Sequence, residues 1–196
     1  MLKCLYWSFV CIRDYSEGCT CRKQDETQSE YFDVAKVSLD VSTVNRHAVE
    51  ATDGVKSTQE DSYTIKEHLF MLSDYPGQDH NSVHHIQELI NKYLTQDMGC
   101  KVVKMHEFTD GCAAQYKSRH CLGDLSCSLP DFDYLVQHNF FETAHAKGEQ
   151  DAARLHIEQR RSKEMLQRTA IIQDAETMYT CMISYSRTFP IQQHQA

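Results

Sequence analysis

Met105-His106-Glu107-Phe108-Thr109-Asp110-Gly111-Cys112-Ala113-Ala114-Gln115-Tyr116-Lys117 is the stretch on which the reading of this chain turns. It is an apolar run that ends in a polar turn carrying a carboxylate. Phe140-Phe141-Glu142-Thr143-Ala144-His145-Ala146-Lys147-Gly148-Glu149-Gln150-Asp151 repeats that arrangement further along. Two acids delivered from the ends of neighbouring strands can hold a divalent cation between them. A metal-dependent phosphoryl-transfer site is therefore the first chemistry to test.

Around these two segments the pattern is regular. Ile65 to Leu72 is a strand candidate closed by Ser73-Asp74 and the turn Tyr75-Pro76-Gly77. Val83, Ile86, Leu89, Ile90 and Tyr93 recur at helical spacing behind Asn81 or Ser82 as a cap, and Gly99 stops the helix. Cys100 to Phe108 reads as a strand, Cys112 to Leu125 as helix, and Pro130 to Asp133 as a turn. Tyr134 to Thr143 reads as a third strand, and one long helix is predicted from Glu149 or Asp151 to about Ser184. Strand–helix alternation implies a sheet with parallel strands and helices on its faces, with chemistry gathered at the carboxyl ends of the strands. Asp74, Asp110 and the His145–Asp151 turn all fall at such ends. The 100–108 strand is expected at the centre, between 66–72 and 134–143.

The first third of the chain is less regular. Residues 1–30 read as an irregular leader. Val37, Leu39 and Val41 alternate with Ser38, Asp40 and Ser42, which predicts a half-buried strand within 34–42. Residues 43–63 are polar and read as loop or disorder. The expected organisation is an acidic, partly disordered leader over 1–63, a core over 64–186 and a tail over 187–196.

The chain has 196 residues, 41% of them hydrophobic and 24% charged, with a formal charge of −8. That is a soluble globular composition, and its acidity excludes a surface that coats nucleic acid throughout. The charge is uneven. Acids outnumber bases over 14–62, whereas Arg154, Arg160, Arg161, Lys163 and Arg168 outnumber Glu158 and Glu164 over 154–168. Nine scattered cysteines form no secreted disulfide framework and read as reduced thiols of a nuclear or cytoplasmic protein. The apolar run Cys4 to Ile12 is too short, and too poor in a cleavage site, for a signal peptide. No run is long enough to span a membrane.

Thr109-Asp110-Gly111-Cys112-Ala113-Ala114-Gln115-Tyr116-Lys117 resembles a Ser-Asp-Gly-x-Ala-x-Gln-Tyr-Lys motif of uncharacterised animal proteins that look derived from DNA transposons. Their second motif, aromatic-rich with His-Gly-Lys-Gly-x-x-Asp, is matched by Phe140-Phe141 and His145 to Asp151. Their Ser-Asp-Asp and His-Asp elements are echoed by Ser73-Asp74 and Asp79-His80. The match covers roughly residues 66–160. It implies an α/β, ribonuclease-H-like mixed sheet with flanking helices, of the transposase and integrase type, with its first strands degenerate or missing. It further implies that Asp110 and Asp151, 41 positions apart, are the second and third metal ligands. The family's first acid lies in an Asp-Phe-x-Glu-Asn setting. No such motif is found here, and Asp40 is its positional substitute.

The expected catalytic set is thus Asp110, Asp151 and Asp40, with Asp110, Asp151 and Asp74 as metal ligands for Mg²⁺ or Mn²⁺. Lys117, Arg119, His145, Lys147, Arg160 and Arg161 are the candidate phosphate or DNA contacts. Zinc is not expected: Cys4, Cys11 and Cys19-Thr20-Cys21 lack a second pair at finger spacing, and His80 and His84 lack a third ligand. Cys112 with His145 reads as a packed small residue and a turn residue rather than a nucleophile and its base. No membrane partner and no small-molecule cofactor are expected. The plain alternatives stay open, because Asp in Asp-Gly is common turn chemistry and Asp at a helix start is common capping. Two classes follow. One is a transposase-derived domain of the metal-dependent polynucleotidyl-transferase class, decayed because its first-acid motif is missing and because Ala146 and Ala152-Ala153-Arg154 replace the family's glycines at the start of the last helix. The other is a non-enzymatic DNA- or protein-binding remnant of a mobile element.

Overall fold

A computed structural model describes residues 8–15, 18–20, 36–141, 149–167 and 171–183. Six strands are present: β1 (Ser8–Tyr15), β2 (Cys19–Thr20), β3 (Lys36–His47), β4 (Thr64–Ser73), β5 (Lys104–Thr109) and β6 (Leu135–Phe140). The helices are α1 (Glu50–Asp53), α2 (His80–Lys92), α3 (Ala113–Tyr116), α4 (Arg119–Ser126), α5 (Ser128–Phe132), α6 (Glu149–Leu166) and α7 (Ala175–Ile183). The strands pair in the order β2-β3-β1-β5-β6, and β4 also pairs with β3. β1 runs parallel to β5 with Ile12 opposite Phe108, and β5 runs parallel to β6 with Thr109 opposite Phe140. β2 is antiparallel to β3. The fold is therefore α/β, with a mixed sheet and flanking helices.

The irregular leader is corrected. Ser8–Tyr15 is an interior strand, and the first strands are present rather than degenerate or missing. Ser8, Phe9, Val10 and Cys11 are consecutive buried residues, because an inner strand covered on both faces has no polar side to alternate with. The same cause corrects the half-buried strand at 34–42. β3 extends to His47, and Ser38, Asp40 and Ser42 are as buried as Val37, Leu39 and Val41. β5 is flanked by β1 and β6, not by the 66–72 strand, which is β4 and pairs with β3. Pro130–Asp133 is the end of helix α5, closed by Asp133 in the left-handed region at φ 62°. The single final helix is two, α6 and α7. Residues 1–7, 21–35 and the tail 187–196 lie outside the described residues.

Helix α2 follows its apolar periodicity. Val83, Ile86 and Ile90 are buried, and Asp79 rather than Asn81 or Ser82 caps it, accepting from the Ser82 amide at 3.1 Å. A π-helical turn, Tyr93–Asp97, prolongs it to Gly99, whose φ of 66° suits glycine.

The chain divides into two compact units: Met1–Arg13, Thr43–Glu67 and Gln78–Ala146 in one, and Asp14–Ser42, His68–Gly77 and Lys147–Ala196 in the other. The second unit has an apolar core of Val37, Leu39, Val41, Phe70, Ile157, Ile172, Met178, Cys181 and Met182. The first unit buries two arginines. Arg13 on β1 donates to Glu107 on β5 at 3.2 Å, and Gln87 of α2 donates to the other Glu107 oxygen at 2.7 Å. Arg46 on β3 holds Glu67 through Nε and Nη2 at 2.8 and 2.7 Å and Asp53 through both Nη atoms at 2.7 and 2.9 Å. Tyr93 Oη donates to Glu67 at 3.0 Å, and the Val49 amide donates to Asp53 at 2.7 Å. Burial works against the charge on Arg46, yet its hydrogen bonds to Asp53 and Glu67 outweigh that and raise its pKa. The Arg46 hydrogen bond in turn holds the Asp53 carboxyl below its ordinary range.

Removing Arg46 leaves two carboxylates partly buried and uncompensated. Arg46→Ala is expected to cost about 3–5 kcal/mol, read as a lowered midpoint in urea unfolding. A depressed folded-state pKa at Asp53 means that its contribution is present above the unfolded carboxylate pKa and fades as pH falls through the folded one. Wild type should therefore lose more stability on acidification than Asp53→Asn. Parallel losses would show that Asp53 is not held by Arg46.

Candidate functional site

The alternation of β5 buries Met105, Glu107 and Thr109 on one face and brings the chain out at Asp110. Asp110 is half-buried, and its Oδ1 accepts from the Cys112 amide at 3.1 Å. That bond makes the Asp-Gly turn and fixes the carboxylate at the carboxyl end of the strand. A Cβ on Gly111 would stand 2.8 Å from Lys117 Nζ, so glycine is what lets that ammonium lie over the turn. The same nitrogen sits 4.6 Å from the centroid of the Phe140 ring, at the end of β6. A cation is thus held beside a carboxylate turn while its side chain stays exposed.

Behind the turn, Thr109 Oγ1 and His138 Nε2 are 2.7 Å apart. His138 also meets Tyr116 edge-on and Phe140 at 4.7 Å. Burial lowers the His138 pKa, with Glu107 opposing the shift. The pair is neutral at pH 7 and ties the end of β5, from which Asp110 projects, to β6.

Asp40 does not reach this place by the expected route. It is 1% exposed, accepts from Ser42 Oγ at 2.8 Å, and lies on β3, which β1 separates from β5. Asp74 accepts from the Ala175 amide at 2.7 Å, at the head of α7, which is a helix-capping role. Asp151 is the third residue of α6, but its side chain lies outside the described residues, as do His145 and Lys147. Arg119 is exposed and approaches the His120 ring at 3.4 Å. Arg160 pairs with Glu164 at 3.1 Å, and Arg161 donates to the Thr20 carbonyl at 3.2 Å. Those two are partly committed within the protein. His80 stacks on His120 with ring centroids 4.7 Å apart, and His84 packs on Phe132. Among the described residues no three His, Cys, Asp or Glu side chains are grouped to hold a metal. Cys11, Cys100, Cys112, Cys121, Cys127 and Cys181 are free thiols.

One acid escaped the sequence reading. Asp14 is the penultimate residue of β1 and stands two places beyond Ile12, as Asp110 stands two places beyond Phe108 on β5. Its setting is Asp14-Tyr15-Ser16-Glu17-Gly18. Set against Asp-Phe-x-Glu-Asn, this keeps the acid, an aromatic and the glutamate at the same spacing, with Gly18 in place of Asn.

The family described as Domain of unknown function (DUF8701) matches residues 6–193. No curated protein matches the chain. Among the described residues no helix is long and apolar enough to cross a membrane.

The His138 environment sets a pH dependence. With its folded pKa below the ordinary value, the unfolded chain takes up the proton first as pH falls, so the native state loses stability below about pH 6.5. The urea midpoint of wild type should drop more between about pH 7.5 and about pH 5 than that of His138→Gln. Equal drops would mean that His138 is solvated.

Proposed function

The chain belongs to the DUF8701 family, and from its own strands and carboxylates we propose that it is a ribonuclease-H-like domain of the transposase and integrase type, acting on nucleic acid by metal-dependent phosphoryl transfer. The observation that carries this reading is the sheet order. Strands β4-β3-β1-β5-β6 follow one another as third, second, first, fourth and fifth of that core, with the first, fourth and fifth parallel in sequence. In this layout the first acid belongs on β1 and the second at the end of β5, which are the places of Asp14 and Asp110. The third belongs at the start of the last core helix, the place of Asp151 in α6.

A carboxylate such as that of Asp110 offers hard oxygen donors, which suit Mg²⁺ or Mn²⁺ rather than zinc. When bound, such cations stabilise charge on the entering and leaving oxygens of an in-line displacement at phosphorus. The chain's own residues supply position. The Asp-Gly turn presents Asp110, and the Cys112 amide restrains its carboxylate. Lys117, braced by Phe140, offers a point charge to a phosphodiester without neutralising Asp110 through a direct bond. The Thr109–His138 pair keeps the two strand ends in register. The expectation of catalytic decay rested on the absent first-acid motif and on the altered glycine-rich start of the last helix; Asp14 is a candidate for the first acid, while Ala146 and Ala152-Ala153-Arg154 still depart from the family's glycines. The non-enzymatic remnant remains the second reading, favoured by the engagement of Arg160 and Arg161 inside the protein.

Calorimetry with Mn²⁺ separates the readings. Wild type should bind, and Asp110→Asn and Asp14→Asn should each weaken binding at least about tenfold, whereas Asp40→Asn should not. Indistinguishable titrations for wild type and Asp110→Asn would remove the metal site. Mn²⁺-dependent nicking of supercoiled plasmid, lost in Asp110→Asn, would establish the enzyme. DNA binding without nicking would establish the remnant. In either case Lys117→Ala should reduce the salt slope of DNA binding by about one.

A further inference from the structure

Strand β6 is the end of the sheet beyond β5. Leu135 and Phe141 donate to the Val103 and Thr109 carbonyls, so odd-numbered residues of this strand turn their backbone groups to β5. Val136, His138 and Phe140 turn theirs outward. The Val136 amide is taken by Ser128 Oγ at 3.3 Å. Among the described residues the backbone groups of His138 and Phe140 have no bonded partner on that side. No residue of the strand is fully buried; Leu135 and Phe140 are 55% and 42% exposed, and Val136, His138 and Asn139 are partly buried.

Such an edge is normally blunted by charge, by proline or by cover. β4 carries the exposed Lys66 in this way. Leu135-Val136-Gln137-His138-Asn139-Phe140 carries no acid, no lysine or arginine and no proline. The lowered pKa of His138 keeps it neutral as well. On a chain of net charge −8, this strip is where a second copy can approach without meeting like charge.

The sequence is also complementary to itself in one register. We propose that β6 pairs antiparallel with β6 of a second copy, about a two-fold axis at His138, to make a closed dimer through a continuous sheet. The outward residues then face one another: His138 exchanges backbone bonds with its counterpart, and Val136, whose amide stays with Ser128, faces Phe140 of the other copy and accepts from its amide. Gln137 and Asn139 face each other across the non-hydrogen-bonded positions, where side chains come closest. Two carboxamides there exchange hydrogen bonds, and a two-fold interface of this kind is self-limiting. Lys117, over the Phe140 ring, stays at the rim. The proposal does not depend on the metal site.

The register gives a test that a general loss of fold cannot imitate. Sedimentation equilibrium of the full chain over about 1–100 μM should show the mass rising from monomer towards dimer. In Gln137→Lys/Asn139→Lys each lysine opposes a lysine of the other copy, and the dissociation constant should rise at least about tenfold. In Gln137→Lys/Asn139→Glu each lysine opposes a glutamate, and the dimer should persist or tighten. Both variants lose the same Asn139 amide bonds, so matched thermal midpoints serve as the control for folding. A wild type that stays monomeric throughout, or two variants that dissociate alike, would overturn the proposal.

Discussion

The parallel pairing of β1 with β5 is the constraint on which the first unit rests, and a buried charge fixes it. Arg13 cannot stay charged inside the protein without Glu107, and Glu107 is held from its other side by Gln87 of α2. A buried ion pair of this kind adds little net stability, because desolvation offsets much of the attraction. What it does is penalise the alternatives. A slip of one residue between the strands would turn Arg13 to the opposite face and leave both charges buried and unpaired. Local apolar pattern gives weak register in β1, where four consecutive residues are buried, so the charge supplies what alternation lacks.

Arg46 does the same for the segment that follows β3. One guanidinium engages Asp53 and Glu67 and closes the polar stretch of α1 and its flanking turns against the start of β4. The neighbouring Tyr93 phenol is raised in pKa by burial and by Glu67, and burial pushes the Cys100 thiol up to about 11. Both stay protonated, so Tyr93 serves as a donor to Glu67 and Cys100 as an inert packed group. This cluster explains why residues that look like loop are ordered with few large apolar residues among them.

At the carboxyl ends of β5 and β6 the opposite policy holds. Asp110 keeps its carboxylate at the surface on a turn bond, and Lys117 is braced by an aromatic face instead of a partner acid. Charges that are positioned but not neutralised are available to a ligand. That contrast with the satisfied Arg13 and Arg46 networks separates a candidate site from structural polarity.

The elements from residue 64 to Phe140, and the placing of Asp110 at the end of a strand, were legible in the sequence because helical periodicity, turn residues and capping acids are local signals. β4, α2, β5 and β6 appear within a few residues of their expected bounds. β1 was not legible. An inner strand covered on both faces reads as an unbroken apolar run, and a run so close to the chain start resembles a leader. The length of β3 escaped because its last residues are polar, and Arg46 is held by Asp53 and Glu67 further along the chain. Only the tertiary structure decided which strand lies beside β5 and that Asp40 is a strand removed from it. Strand order depends on pairings between segments some ninety residues apart, and no local pattern of side chains encodes those.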